Sequence, residues 1–210
     1  LAARIRREMP GTKLTVTREP GGTEEGQKIR RRLLNDKTLT TEAEVGLFIE
    51  DRVLNQEQVV VPALREGSIV VQNRSFISNM VYQGEGKGLG IERVLEANFP
   101  VISRVPPDLI VFLNVGWKVG KSRFGKTEID KFDQETANFW QKVEAGYLQS
   151  IQMVSEVFAT RLLTIEDKEG ELDIRDTHRK VWIGLEPHLD LLWRIREGLI
   201  THSLTPEGVG

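Results

Sequence analysis

The stretch "VTREPGGTEEGQKIRRRLL", residues 16–34, decides how the rest of the chain is read. A β-rich run ends in Pro20-Gly21-Gly22, and a stretch of helical composition follows, with Thr23 placed as an N-cap before Glu24. Glycine tolerates positive φ and close approach by a ligand, so a tight strand-to-helix turn is expected; turn chemistry alone also explains both glycines. Arg18 and Glu19 stand where the strand would deliver them. The basic triplet Arg30-Arg31-Arg32 reads as a mostly solvated helix face.

Outward from this turn, strand and helix signals alternate. "KLTVTRE" (13–19), "SIVVQN" (68–73), "DLIVFLNV" (108–115) and "RLLTIED" (161–167) are short, and several are continuously apolar, as strands covered on both faces tend to be. Apolar residues recur at helical spacing within 40–67 and 132–159. Pro62 predicts two helices or a kinked one in the first span, and Pro187 predicts a new helix after one over 173–185. The alternation predicts an α/β fold, a parallel sheet with helices on both faces. Such sheets take ligands beyond the C-terminal ends of their strands, which directs attention to Arg18–Gly22, Asn73-Arg74-Ser75 and the segment after Val115.

The length of 210 residues suits one domain, expected over 1–200 with a frayed tail at 201–210. The formal net charge of −2 gives no global attraction to nucleic acid or an anionic membrane, so an anion site has to be local. There is no cysteine, which excludes thiolate chemistry and fits a reducing compartment. No apolar run approaches the ~20 residues needed to span a bilayer, and no secretory leader is visible. A cytoplasmic location is expected.

Four segments carry candidate chemistry. Besides the opening turn, "LFIEDR" (47–52) puts Phe48 and Arg52 four apart on one helix face, suited to stacking a base and pairing with a phosphate. A core Phe beside a solvated Arg is the plain alternative. In "NRSFISNMVYQGEGKGL" (73–89), Arg74 follows a buried strand, where a guanidinium can meet a phosphate, while Asn79, Tyr82 and Gln83 carry groups suited to a nucleoside. Tyr82 and Gln83 can also be read as ordinary surface residues. The "GEGKGLG" run reads as a mobile glycine-rich loop without Walker A spacing. In "GWKVGKSRFGKTEIDKFDQE" (116–135), Lys118, Lys121, Arg123 and Lys126 crowd a glycine-punctuated stretch, either a solvated basic loop or a lid closing on polyphosphate. His178, His188 and His202 show no ligand spacing, and no metal site is assigned.

In order, "TREPGGT…G..IR..LL", "LF…DR", "VVVPAL..G", "R…SN..YQG.G.GL", "PDL.VFL.V" and "D…Q.…F…V..GY" resemble the thymidylate kinase family over residues 17–147. The resemblance implies a P-loop kinase-type fold, transfer of the ATP γ-phosphoryl group to dTMP with Mg²⁺, and a homodimer. It implies that Phe48 stacks on thymine and that Arg52 reaches its carbonyl side. Arg74 would hold the acceptor phosphate, beside Arg18 and Glu19. Asn79, Tyr82 and Gln83 would shape the nucleoside pocket, and Arg123 would be the lid arginine on the donor phosphates. With Arg74 and Arg123, Asn73 makes up the expected catalytic set.

Departures accompany the match. No Gly-x-x-x-x-Gly-Lys-Ser/Thr loop is present, and Leu1 already stands within an amphipathic pattern. The first strand and P-loop are therefore expected to precede Leu1, because losing a central strand would leave backbone groups unpaired, and the piece alone is expected to be inactive. Asn73 stands where the family usually has Asp, Ser75 where it has an aromatic ring, and Asn55 near a usual histidine. These keep two alternatives open: a degenerate kinase that only binds nucleotide, or a kinase of another nucleoside or nucleotide.

Overall fold

The structure, a computed structural model, describes residues 1–123, 132 and 134–196. The expected tail at 201–210 and lid residue Lys126 lie outside the described residues. Four short strands carry the frame: β1 (Leu14–Arg18), β2 (Ile69–Asn73), β3 (Leu109–Val115) and β4 (Arg161–Asp167). All four fall on the predicted β-rich runs. Their pairing differs from a single continuous sheet: β1 pairs with β2, and β3 with β4, both in parallel.

Helices cover both faces, because alternate strand residues point opposite ways. On one face, α1 (Ala2–Glu8) and α9 (Ile174–Arg196) bring Ile5, Trp182, Leu185 and Leu189 against Leu14, Ile69, Val71, Leu109 and Leu163. Both strand pairs thus rest on one helical layer. Helix α9 runs through Pro187 without a break, contrary to the expected new start there. On the other face, Ile110 and Phe112 of β3 pack against a larger core. That core draws on α3 (Thr41–Asn55), α5 (Phe76–Asn79), α6 (Ile91–Ile102) and α8 (Ala137–Phe158).

The remaining elements place the chemistry. Thr23 caps α2 (Glu24–Asn35) as expected, its hydroxyl accepting from the Gly26 amide at 2.9 Å. Helix α3 passes through a π-helical turn, Gln56–Val60, into α4 (Val61–Arg65), with Pro62 in the first turn of α4. Helix α5 likewise runs into a π-helical segment, Met80–Gly86. The glycine-rich run is therefore packed rather than a free loop: Gly84 is buried, a Cβ on Gly86 would strike the Phe139 ring, and Lys87 is anchored to Glu44. Helix α7 (Trp117–Arg123) opens the expected basic stretch.

Candidate acceptor site at the ends of β1 and β2

Parallel pairing sets Arg18 beside Asn73 at the C-terminal ends of β1 and β2, and the Glu19 amide continues the pairing by donating to the Asn73 carbonyl at 3.1 Å. Two turns leave from this edge. The first, Glu19–Gly22, has Gly21 at φ 99°, a conformation that favours glycine. Gly22 is required for a different reason than ligand approach: a side chain there would collide with Asn55, Thr17 and the Arg18 carbonyl. The second turn holds Arg74 at φ 63°, where a non-glycine residue is strained. Ser75 then caps α5, accepting from the Ile77 amide at 3.4 Å.

The predicted site residues separate into three groups. Arg18 and Arg74 are exposed. Phe48 and Tyr82 are half-buried rings, and the Arg74 guanidinium lies 5.7 Å from the Tyr82 ring centroid. Tyr82 also meets Phe132, Phe139 and Trp140 edge-on, which fixes its plane and refutes its reading as a surface residue. Tyr147 completes this wall, bonded to the Ser78 hydroxyl at 3.2 Å. Burial, and Tyr82 beside it, push the Tyr147 phenol above its ordinary pKa, with Arg74 acting the other way.

Glu19, Arg52, Asn79 and Gln83 form the third group, and all four are buried. They are not presented to solvent as separate contacts for a ligand; they bond to one another and to residues the sequence reading passed over. Arg52 donates through Nε to Glu19 at 2.8 Å and through a second nitrogen to Asn98. Asn98 donates to Asn79 at 3.1 Å, Asn79 to Gln83 at 3.0 Å, and Gln83 to Glu44 at 2.9 Å. Lys87 closes the chain by donating to both Glu44 oxygens, at 2.8 and 2.9 Å. Every link donates in the same sense, from the cationic Arg52 to the anionic Glu44, so each amide is held in one orientation and neighbouring bonds strengthen each other. Helical spacing places Glu44, Phe48 and Arg52 on one face of α3. Phe48 thus lies between the two points at which α3 is tied to this chain.

At the other end of the network Asn55 accepts from the Thr17 hydroxyl at 2.6 Å and donates to Glu19 at 3.3 Å and Gln72 at 3.2 Å. It ties α3 to β1 and β2. Asn55 and Ser75, which had suggested a different substrate, are therefore accounted for by internal bonds and a helix cap. The i, i+4, i+8 spacing with Phe48 and Arg52 was the signal that could have found Glu44. Asn98 lies on α6 and carried no such signal.

Arg123 stands apart from these groups. Its guanidinium reaches Asp167 at the end of β4, at 3.1 Å, and the Gly170 and Leu172 carbonyls at 3.4 Å. The Leu172 amide bonded to Asp167, with Arg123 beside it, holds that carboxyl below its usual pKa. Near Arg123 a cleft of about 950 Å³ is lined mostly by apolar groups, among them Val111, Leu113 and Val181, together with Arg175 and His178.

Arginines and aromatic rings gathered beyond parallel strand ends, with a buried polar network beneath them, fit an α/β protein of the nucleotide kinase class. The comparisons narrow the class. The model of the family described as thymidylate kinase matches residues 1–169. A thymidylate kinase of Lactobacillus helveticus is 36% identical over 180 residues, covering 83% of this chain and 81% of the relative. One from Lactobacillus acidophilus is 37% identical over 153 residues, 70% of each chain. The crystal structure of thymidylate kinase from Ehrlichia chaffeensis matches with a TM-score of 0.65 at 25% identity, covering 90% of this chain and 87% of the other. The chain belongs to the thymidylate kinase family, whose reaction is phosphorylation of dTMP to dTDP, with ATP as the implied phosphate donor.

Proposed function

We propose that the surface at the β1 and β2 ends, between α3 and residues 74–86, receives dTMP in this chain. Arg74 and Arg18 would hold its phosphate, as charge-assisted donors suit a dianion. Phe48 would lie against the thymine ring, and Tyr82 would border the sugar. Glu19, Arg52, Asn79 and Gln83 would form the wall behind the base, kept rigid by their mutual bonds, and any direct contact they make requires the half-buried rings in front of them to shift. Asn73 would stand beside the phosphates. The observation that carries the reading is the placement of Arg74 over Tyr82, one residue beyond the Arg18–Asn73 register pair.

In the transfer, an oxygen of the dTMP phosphate forms a bond to the γ-phosphorus of ATP, the bridging P–O bond breaks, and ADP leaves. Positioning and charge neutralisation are the protein's share of such chemistry. Arg123, with the cleft beside it, lies on the donor side, and swinging from Asp167 to the transferring group would make it the lid arginine. Magnesium, implied by the family, would supply neutralisation of the donor's negative charge. The residues here fit it poorly: Asn73 offers an amide where a carboxylate would serve, and among the described residues no group of three acidic or histidine side chains is gathered. No step above is routed through it.

Titration calorimetry with dTMP tests the acceptor reading. dTMP is expected to bind, and Arg74→Ala to weaken binding by about 30-fold or more, since truncating a charge partner costs roughly 2–5 kcal/mol. Equal affinity in the two proteins rejects it. With the segment expected before Leu1 restored, binding of dTMP with no ADP release when ATP is present would favour the degenerate, binding-only alternative. A homodimer is part of the same proposal and rests on family likeness; light scattering that finds only monomer removes it. Cytoplasmic location is proposed on the same footing; among the described residues no helix is long and apolar enough to cross a membrane.

A further inference from the structure

Asp51 is next to Arg52 on α3, yet it takes no part in the amide chain. Its side chain turns the other way and accepts from the Gly21 amide at 2.8 Å. It is 1% exposed, and its second oxygen, Oδ2, has no hydrogen-bond partner in the structure. Helix α2 is shaped around it: a Cβ on Gly26 would overlap the carboxylate oxygen and the Thr23 hydroxyl, so only glycine lets the first turn of α2 come this close. One carboxylate therefore touches the Glu19–Gly22 turn, α2 and its own helix. A buried carboxylate left half unsatisfied is costly, and a core built for stability alone gains nothing from it.

We propose that Asp51 is a positioning residue of the acceptor site, tying the Glu19–Gly22 turn to α2 and α3 through the Gly21 amide and thereby fixing Arg18 for the incoming monophosphate. The inference rests on the acceptor reading above. Its action is indirect: Arg18 Nε lies 3.5 Å from the Gly21 carbonyl, and Arg30 of α2 reaches the Pro20 carbonyl at 3.4 Å, so the whole turn moves with Gly21. The charged groups around the carboxylate are Glu19 on the turn, Arg52 on α3 and Arg30 on α2, with Glu24 and Glu25 in the first turn of α2. Burial, foremost, and then Glu19 push its pKa up to about 6 against the pull of the Gly21 amide and the two arginines. An ionised acceptor binds an amide more strongly than a neutral one. The turn is therefore held best above that pH.

The test compares wild type, Asp51→Asn and Asp51→Ala for binding of dTMP and of thymidine, which lacks the phosphate, at pH 8 and pH 5. At pH 8 Asp51→Asn is expected to weaken dTMP about fivefold, and Asp51→Ala about tenfold, as expected for demoting and then losing a charge-assisted bond. Thymidine affinity stays at the wild-type level in both. At pH 5 the Asn variant and wild type converge, and their ratio cancels the ionisation of the ligand's own phosphate. A merely structural role would weaken both ligands together and lower the melting temperature, whereas Asp51→Asn is expected to melt no lower than wild type at pH 8. Unchanged dTMP affinity in Asp51→Asn at pH 8, or parallel loss of thymidine, overturns the proposal. Should the variant not fold, the wild type answers by NMR: the Gly21 amide proton must titrate with a midpoint near pH 6, and a flat shift from pH 5 to pH 8 overturns it equally. A wild type that shows this titration but binds no dTMP would instead reject the acceptor reading.

Discussion

The two strand pairs end in different kinds of surface. Beyond β1 and β2 nearly every polar side chain is locked to another: Thr17, Glu19, Arg52, Asn55, Asn79, Gln83, Asn98, Glu44 and Lys87 form one connected set of bonds. Beyond β3 and β4, among the described residues, Arg123 pairs with Asp167 and Asn114 donates to Glu166, and the Arg123 side chain is 46% exposed. The β1–β2 end holds its polar groups in mutual bonds without a ligand, which under the proposed acceptor role spares the entropy of ordering them on binding. Under the proposed donor role the Arg123–Asp167 pair would have to open.

The sharpest way to break this contrast is Glu44→Ala. It leaves Gln83 without its acceptor and Lys87 without its partner, at a point where the Glu44 side chain is 1% and the Lys87 side chain 20% exposed. Removing one member of a buried pair costs about 3–5 kcal/mol, and the lower end is expected because Lys87 can turn toward water. Urea unfolding should show that loss. Arg123→Ala on the donor side is expected to leave the unfolding midpoint near wild type, because its side chain is 46% exposed. If the two variants lose equal stability, the acceptor network is not the rigid half.

Much of this was legible in the sequence, for identifiable reasons. Short β-rich runs, several of them continuously apolar, marked all four strands, and Thr23 announced the start of α2. Arg74 and Arg18 drew attention because they stand at or just beyond the C-terminal ends of predicted strands, where such sheets take ligands. The pairing into two strand couples was not legible, since hydrophobic pattern reports burial and not partner. Nor was the fate of Arg52, Asn79 and Gln83. They were read as ligand contacts, but amides can satisfy amides, and only the fold reveals that Asn98 on α6 and Glu44 on α3 bond to them. Pro187 misled because proline stops helices in general, whereas here α9 continues through it.

Asp51 supplies a pH dependence that sharpens the same contrast. Its native pKa, about 6, lies above the unfolded model value of 3.8, so between these values the folded state binds more protons than the unfolded one. Its contribution to stability is then fully favourable below the unfolded pKa and is lost as pH rises through the folded pKa. The span corresponds to about 3 kcal/mol at most, at 1.36 kcal/mol per unit. Chemical unfolding of wild type and Asp51→Asn across pH 4–8 should show wild type losing stability toward neutral pH relative to the variant. Parallel curves would mean that the carboxylate is solvated, and that the turn it holds is looser than its bonds suggest.

The smallest expected effect concerns Arg74, and it tests whether the rigid half stores strain. Arg74 holds φ at 63°, in the left-handed region, and a side chain there costs on the order of 1 kcal/mol or somewhat more. Glycine adopts that conformation without penalty, although it brings more entropy to the unfolded chain. Arg74→Ala and Arg74→Gly both delete the guanidinium and should be equally poor at binding dTMP. They should differ in stability, with the glycine variant more stable than alanine by about 1 kcal/mol, since only alanine keeps the strained Cβ. Arg74→Gly at or above wild-type stability, combined with lost binding, would show backbone strain retained to aim one guanidinium at a phosphate. Equal stability of the two variants would show that the turn relaxes freely, and the preorganisation attributed to this edge would then have to come from the amide chain and Asp51 alone.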